Sequence, residues 1–224
     1  MNKLAFLVLT FAVFLTACED PAANKPKAAT TNSTTSSTAN TPTGNANTTA
    51  PKVETKGTAL ALTAENSKVE FTGSKVTGKH DGGFKAFTGT IDLVNAKAEE
   101  SSVKVDIDTT SVYSDSEGLT GHLKSPDFFD VEKFPKANFT STKIVADSTT
   151  GAGSYTITGD FDLHGQKKSI TFPAKITVTD AEVAVESEFS INRKDFGIVY
   201  AGKTDDLIRD DVVIKLNLKS SRKK

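Results

Sequence analysis

Three histidines, His80, His122 and His164, stand about 42 residues apart, each within two residues of a glycine. A three-histidine metal centre would need the fold to gather them, because spacing this wide carries no local ligand signature. Turn histidines bonding nearby backbone fit the pattern better. Asp106 and Asp108, two apart, have the form of a carboxylate pair for acid–base work. Their period places them on the polar face of a strand, where solvation is the simpler reading. Asp205-Asp206 and Asp210-Asp211 flank Arg209, yet they lack the spacing and glycine of a calcium loop. There is no glycine-rich phosphate loop, no His-Glu-x-x-His and no Gly-x-Ser-x-Gly. Catalysis, a metal and a cofactor are therefore not expected.

Cys18 is the sole cysteine. It follows Lys3, an apolar run from Leu4 to Leu15, and Leu15-Thr16-Ala17. A positive start, an apolar core and small residues before a cut describe a secretory signal, and the run is shorter than the ~20 residues a spanning helix needs. Leu-Thr-Ala-Cys resembles the bacterial lipobox. That implies a signal over 1–17 and lipid attachment at Cys18, which would remove the thiol as a nucleophile. The expected location is the bacterial envelope, as a membrane-anchored lipoprotein facing the periplasm.

Residues 18–56 form a second zone. From Glu19 to Lys52 there is no Val, Ile, Leu, Met or aromatic residue. Such a stretch buries too little apolar surface to offset the entropy of ordering it. It reads as a disordered tether of about 30–35 Å r.m.s. span. The remainder, 57–224, is one domain's worth of chain. The net charge of −1 becomes −2 once Lys3 leaves with the signal, so no basic field recruits nucleic acid.

Within that domain, apolar residues alternate with polar ones. Val69 and Phe71 share a face; so do Phe87, Ile91 and Leu93, and Val103, Val105 and Ile107. The pattern resumes with Phe139 to Val145, Tyr155 to Leu163, Ile170 to Val178, Val183 to Ile191 and Val212 to Leu218. Gly78 to Gly83 reads as turn residues that break the first strand. Short strands at regular spacing with one wet face predict an all-β sandwich or barrel. An eight-stranded closed antiparallel barrel fits and removes exposed edges. Gly73, Gly89, Gly159, Ala174 and Ser187 fall in register with the inward set. They mark either a cavity or bends in the strands, and the pattern leaves both open.

Gly121 to Pro135 interrupts the alternation with Phe128, Phe129 and Phe134 among acids, prolines and a histidine. Ser114-x-x-Glu117 has the form of a capping box and predicts a helix from about Asp115 to Leu123. Ser125-Pro126 predicts a second helical turn. An aromatic non-strand segment of this kind covers something apolar.

Four stretches carry a family resemblance. Ser67-Lys68-Val69-Glu70-Phe71 with Gly78-Lys79-His80 is similar to the opening strand of the YceI-like proteins, a polyisoprenoid-binding, lipocalin-like periplasmic family. Gly121 to Pro135 resembles that family's most specific signature, with Leu119-Thr120 where Arg-Asp is common. Gly159 to Gly165 resembles a later hairpin, and Ile191 to Ile198 resembles an Arg-x-x-Phe-Gly element. The resemblance implies an eight-stranded antiparallel lipocalin-like barrel with one or two short helices. It implies a pocket for a long isoprenoid-type lipid, a quinone or polyprenyl chain, and a binding protein rather than an enzyme. A homodimer stays open.

On this reading the expected lining is Phe71, Phe87, Ile91, Val105, Ile107, Phe161, Phe172 and Phe189, with Phe128 and Phe129 closing one end. The rival reading is a structural or interaction module of the envelope with a solid core.

Overall fold

The computed structural model describes residues 19–33 and 57–222. Cys18, the signal at 1–17 and the stretch 34–56 lie outside the described residues. The strands are β1 (Ala29–Asn32), β2 (Thr58–Thr63), β3 (Lys68–Lys75), β4 (Gly78–Phe84), β5 (Phe87–Val94), β6 (Lys97–Asp108) and β7 (Val112–Ser114). After the helix α1 (Glu117–Leu123) come β8 (Lys136–Ala146), β9 (Ser154–Leu163), β10 (Gln166–Val178), β11 (Glu182–Asn192), β12 (Gly202–Lys203), β13 (Asp206–Leu207) and β14 (Asp211–Ser221).

Twelve strands form one curled sheet in the order β2-β5-β6-β8-β9-β10-β11-β14-β3-β4-β7, with β1 on β10; β12 and β13 pair separately. Across the curl, Ser220 Oγ on β14 donates to the Ala61 carbonyl on β2 at 2.7 Å. The architecture is the lipocalin-like antiparallel barrel that the sequence predicts. All eight expected strands are present, as β3, β5, β6, β8, β9, β10, β11 and β14. The strand count differs because β1, β2, β4 and β7 join the same sheet.

Each addition has a physical reason. Gly82 and Gly83 of β4 do not make a turn; they let the strand lie close to its neighbours. A Cβ on Gly82 would stand 2.5 Å from the Tyr113 carbonyl oxygen and 2.6 Å from the Phe71 ring. β2 buries Leu60 and Leu62 against the core and pairs with β5 from Thr58↔Leu93 to Thr63↔Thr88. The β9–β10 hairpin turns on His164 and Gly165 alone, at φ 54° and 71°, the left-handed pair that suits a two-residue turn between twisted strands.

β1 corrects the tether reading for residues 19–33. β10 and β11 pair only from Lys175↔Glu186 to Val178↔Val183 and then part at Pro173, whose carbonyl accepts from Ser187 Oγ at 2.5 Å. β1 fills the split. It runs antiparallel to β10, from Ala29↔Thr171 to Asn32↔Lys168. On its other side, the Ala28 N–H donates to the Ser190 carbonyl, and the Ser190 N–H to the Pro26 carbonyl, both at 2.8 Å. Ion pairs flank it: Lys25 with Glu188 and Lys27 with Asp211, each at 2.8 Å. The composition argument weighs apolar burial, whereas this segment is held by the open backbone edges of a split hairpin.

Ser116, rather than Ser114, caps α1 by accepting from the Leu119 N–H. Ser125-Pro126 starts hydrogen-bonded turns instead of a second helix, with the Phe128 and Asp130 N–H groups both donating to the Ser125 carbonyl. Asp115 ties β4 to the start of α1: its carboxylate accepts from the Asp81 N–H at 3.1 Å and pairs with His80 Nδ1 at 2.8 Å. The His80 bond, opposed by slight burial and aided by the Asp81 N–H, holds the Asp115 carboxyl below its ordinary value. The stability it contributes is fully present above the unfolded value near ~4 and disappears as pH falls through the lower folded value. Asp115→Asn should therefore unfold at lower urea than the parent at neutral pH, and the two midpoints should converge once acid protonates the folded carboxyl. A gap that persists unchanged in acid would contradict this role.

Candidate functional site

The barrel interior holds a cavity of about 180 Å³. Its walls come from the inward faces of β3, β6, β8, β9, β10, β11 and β14, so the alternating apolar residues that build the core also build the site. Of the residues expected to line a ligand, Phe71, Val105, Ile107, Phe161, Phe172 and Phe189 border this cavity. Phe128 and Phe129 border it too, while Asp127 faces solvent. Phe87 and Ile91 do not border it. Both are buried, at 6% and 4% exposure, in a part of the interior filled by side chains from β2. Leu62 occupies the space beside Gly89, where an added Cβ would meet its Cδ1 at 3.2 Å.

The glycine question resolves position by position. Gly73 borders the cavity, and nothing lies within 4 Å of where its Cβ would stand. At Gly159 the space is taken by the Phe139 ring, 2.4 Å from the Cβ position. The interior is thus neither wholly solid nor an open tunnel throughout.

Aromatic rings organise the cavity. Phe172 and Phe189 stack at 4.2 Å and 10°, with Phe139 tilted onto Phe172 at 5.7 Å. At the capped end Phe129 packs on Phe71 and Phe84 at 6.2 and 5.6 Å. Phe128 meets His122 and Tyr200 edge-on at 4.9 and 5.5 Å. His122 is held in turn by Asp127 at 2.8 Å. The Gly121–Pro135 stretch therefore covers one end with two aromatic clusters, one rooted in β3 and β4 and the other in α1 and the segment that carries Tyr200.

Two charged residues border the cavity among the described residues, Glu70 and Arg193. Glu70 lies near the Tyr113 phenol, whose ionisation is pushed up by burial and by that carboxylate. Arg193 is buried, and its Nε, Nη1 and Nη2 donate to the carbonyls of Arg209, Ile198 and Ile208 at 3.1, 2.7 and 3.3 Å. Burial pulls its pKa down, and Asp210 at 3.4 Å opposes that pull. Its task is to pin the segment from Ile198 to Asp210, two of whose residues, Ile198 and Ile208, complete the wall. The neighbouring Phe196 is fully buried against Phe161 at 5.2 Å, and Gly197 turns the chain at φ 77°.

Sequence reasoning missed Phe84, Leu123, Phe139, Ile198 and Ile208 on the wall. Phe84 was hidden by reading β4 as a turn. Phe139 shows the ordinary strand alternation and was available from it. The histidines are dispersed: His164 Nδ1 meets the Phe196 carbonyl at 3.2 Å, apart from the His80–Asp115 and His122–Asp127 pairs.

A curled antiparallel barrel around an apolar cavity, covered at one end by an aromatic turn, is a lipocalin-like barrel. This chain belongs to the YceI-like family, whose domain matches residues 60–220. A UPF0312 protein of Pseudomonas putida strain W619 is 33% identical over 140 residues, covering 60% of this chain and 71% of that relative. The fold is shared with BcnA of Burkholderia cenocepacia at a TM-score of 0.63 and 23% identity, over 70% of this chain and 98% of that one. The Campylobacter jejuni YceI protein aligns at 0.57 and 26%, over 64% and 85%. A polyisoprenoid-binding domain from Saccharophagus degradans aligns at 0.57 and 17%, over 73% and 99%.

Proposed function

We propose that this protein is a binding protein of the bacterial envelope that holds a long isoprenoid-type chain, a quinone tail or polyprenyl lipid, in the barrel interior for storage, transport or sequestration. The observation that carries the reading is the cavity wall: apolar residues line it, and the buried Arg193 at its border is spent on backbone carbonyls. Such a site offers an apolar chain burial worth roughly 25 cal/mol per Å² before ordering costs. It offers a polar ligand no partner for its hydrogen bonds. The Saccharophagus degradans neighbour, described as polyisoprenoid-binding, supports the ligand class.

Volume sharpens the proposal. An apolar cavity of about 150 Å³ stays dry and takes benzene, so roughly one or two five-carbon units fit the cavity as it stands. A longer chain would require the rings of the wall to move apart. Cys18 carries the lipid anchor in this reading.

Native mass spectrometry of detergent-free protein should find a co-purified isoprenoid lipid, and delipidated protein should take up a long-tailed quinone. Finding no lipid, together with failure of quinones to bind, would remove the proposal.

A further inference from the structure

Residues 20–32 do more than fill the split between β10 and β11, because they also decide where the chain leaves the barrel. The Asp20 carboxylate pairs with the Arg209 guanidinium at 3.4 Å. The Arg209 N–H donates to the Ser74 carbonyl at 2.9 Å, the Ile208 N–H to the Ala201 carbonyl at 2.9 Å, and the Val76 N–H to the Leu207 carbonyl at 3.1 Å. Asp20, the β3–β4 turn and the segment from Val199 to Arg209 therefore form one rim. Ile208, in that segment, and Ile198, just before it, border the cavity.

This rim gathers exposed apolar side chains between its ion pairs. Four large apolar residues are exposed among the described residues: Val76 at 54%, Val145 at 43%, Val199 at 64% and Leu207 at 49%. Val76, Val199 and Leu207 all stand on the rim; Val145 is on β8. Exposed apolar groups gathered at one place mark an interaction surface. The chain that precedes Glu19 emerges beside that place, since Asp20 is fixed to Arg209.

We propose that Val76, Val199 and Leu207 are a membrane-contact edge, and that the docked strap over residues 20–32 holds this edge against the lipid surface to which Cys18 is attached. The inference rests on Cys18 as the anchor and is independent of which ligand the cavity holds. Anchored this way, the barrel does not hang on a long spacer. Its Ile198–Ile208 side lies against the bilayer, where an apolar ligand can pass without crossing water.

The chain contains no tryptophan, so a single introduced indole reports its own surroundings. The acylated full chain would be reconstituted into vesicles of phosphatidylethanolamine and phosphatidylglycerol carrying brominated acyl chains. With Leu207→Trp, emission should shift to the blue and be quenched several-fold more than with Val145→Trp. Ala28→Pro removes the N–H that bonds Ser190 and should free the strap; combined with Leu207→Trp it should lower the quenching while the protein still floats with the vesicles. Protein that floats but shows equal quenching at both positions overturns the membrane-contact edge. Unchanged quenching in the Ala28→Pro background overturns the role of the strap. An indole at position 207 shielded from both water and bromolipid within a dimer gives the edge to a second copy and also overturns the proposal. Failure of the Cys18-bearing protein to float removes the anchor along with it, whereas loss of flotation confined to Cys18→Ser supports the anchor. Ligand retention, measured on the same samples, reports the cavity separately.

Discussion

Arg193→Met should cost about 3–5 kcal/mol of stability, because it orphans three backbone carbonyls at about 1–3 kcal/mol each. Methionine keeps much of the volume and supplies none of the donors. The carbonyls of Ile198, Ile208 and Arg209 then lose the guanidinium that satisfies them. Asp210 keeps Lys194 at 2.9 Å, so the loss falls on the carbonyls. Because domains of this kind are stable by only about 5–15 kcal/mol, the variant should unfold at markedly lower urea. Its cavity wall should also loosen at Ile198 and Ile208, so bound lipid should dissociate faster at temperatures where the fold survives. A loss under about 1 kcal/mol would mean that water replaces the guanidinium without penalty.

The second large effect separates two glycines that look alike in the sequence. Gly73→Leu places its side chain into open cavity, with no atom within 4 Å of the new Cβ. It should change stability by less than about 1 kcal/mol, since the new contacts are apolar and the space is empty. The bound lipid should be displaced. Gly159→Leu drives a Cβ to 2.4 Å from the Phe139 ring and 2.6 Å from the Thr140 carbonyl oxygen. Overpacking typically costs about 1–3 kcal/mol, and contact with backbone as well as ring puts this variant at the upper end or beyond. Thermal unfolding and native mass spectrometry on both variants give the comparison. Parental lipid occupancy in Gly73→Leu would show that the ligand lies elsewhere.

The contrast between these glycines shows what periodicity can and cannot tell. Alternation along β9 and β10 separates the two faces of each strand, because a half-buried strand has no other way to satisfy both of them. It does not say how far the neighbouring side chains reach. Phe87 and Ile91 face inward as expected, yet Leu60 and Leu62 from β2 fill the space they would have opened onto. That fact belongs to the packing of two strands and is absent from either one alone.

β4 was illegible for a related reason. Its glycines are demanded by Phe71 and Tyr113, residues distant in the chain, and locally they look like turn formers. The strap was illegible because its stability lies in the partners that β10 and β11 leave open, while its own composition argues for disorder. Phe128 and Phe129 were legible because an aromatic pair set among prolines and acids has few uses other than covering apolar space. The function of Arg193 was legible only as part of a motif. Its three carbonyl partners follow from the path of the chain after Gly197.

The strand lodged between β10 and β11 connects to β2 only through residues 34–56. A single cut within that connection would leave both products in place: a short peptide carrying the chain's beginning, and a barrel with that peptide seated in its wall. The two would be joined by hydrogen bonds and ion pairs alone. Detachment of the barrel from that peptide would then be an equilibrium, sensitive to salt through Lys25–Glu188 and Lys27–Asp211, and reversible by any peptide able to occupy the vacated slot.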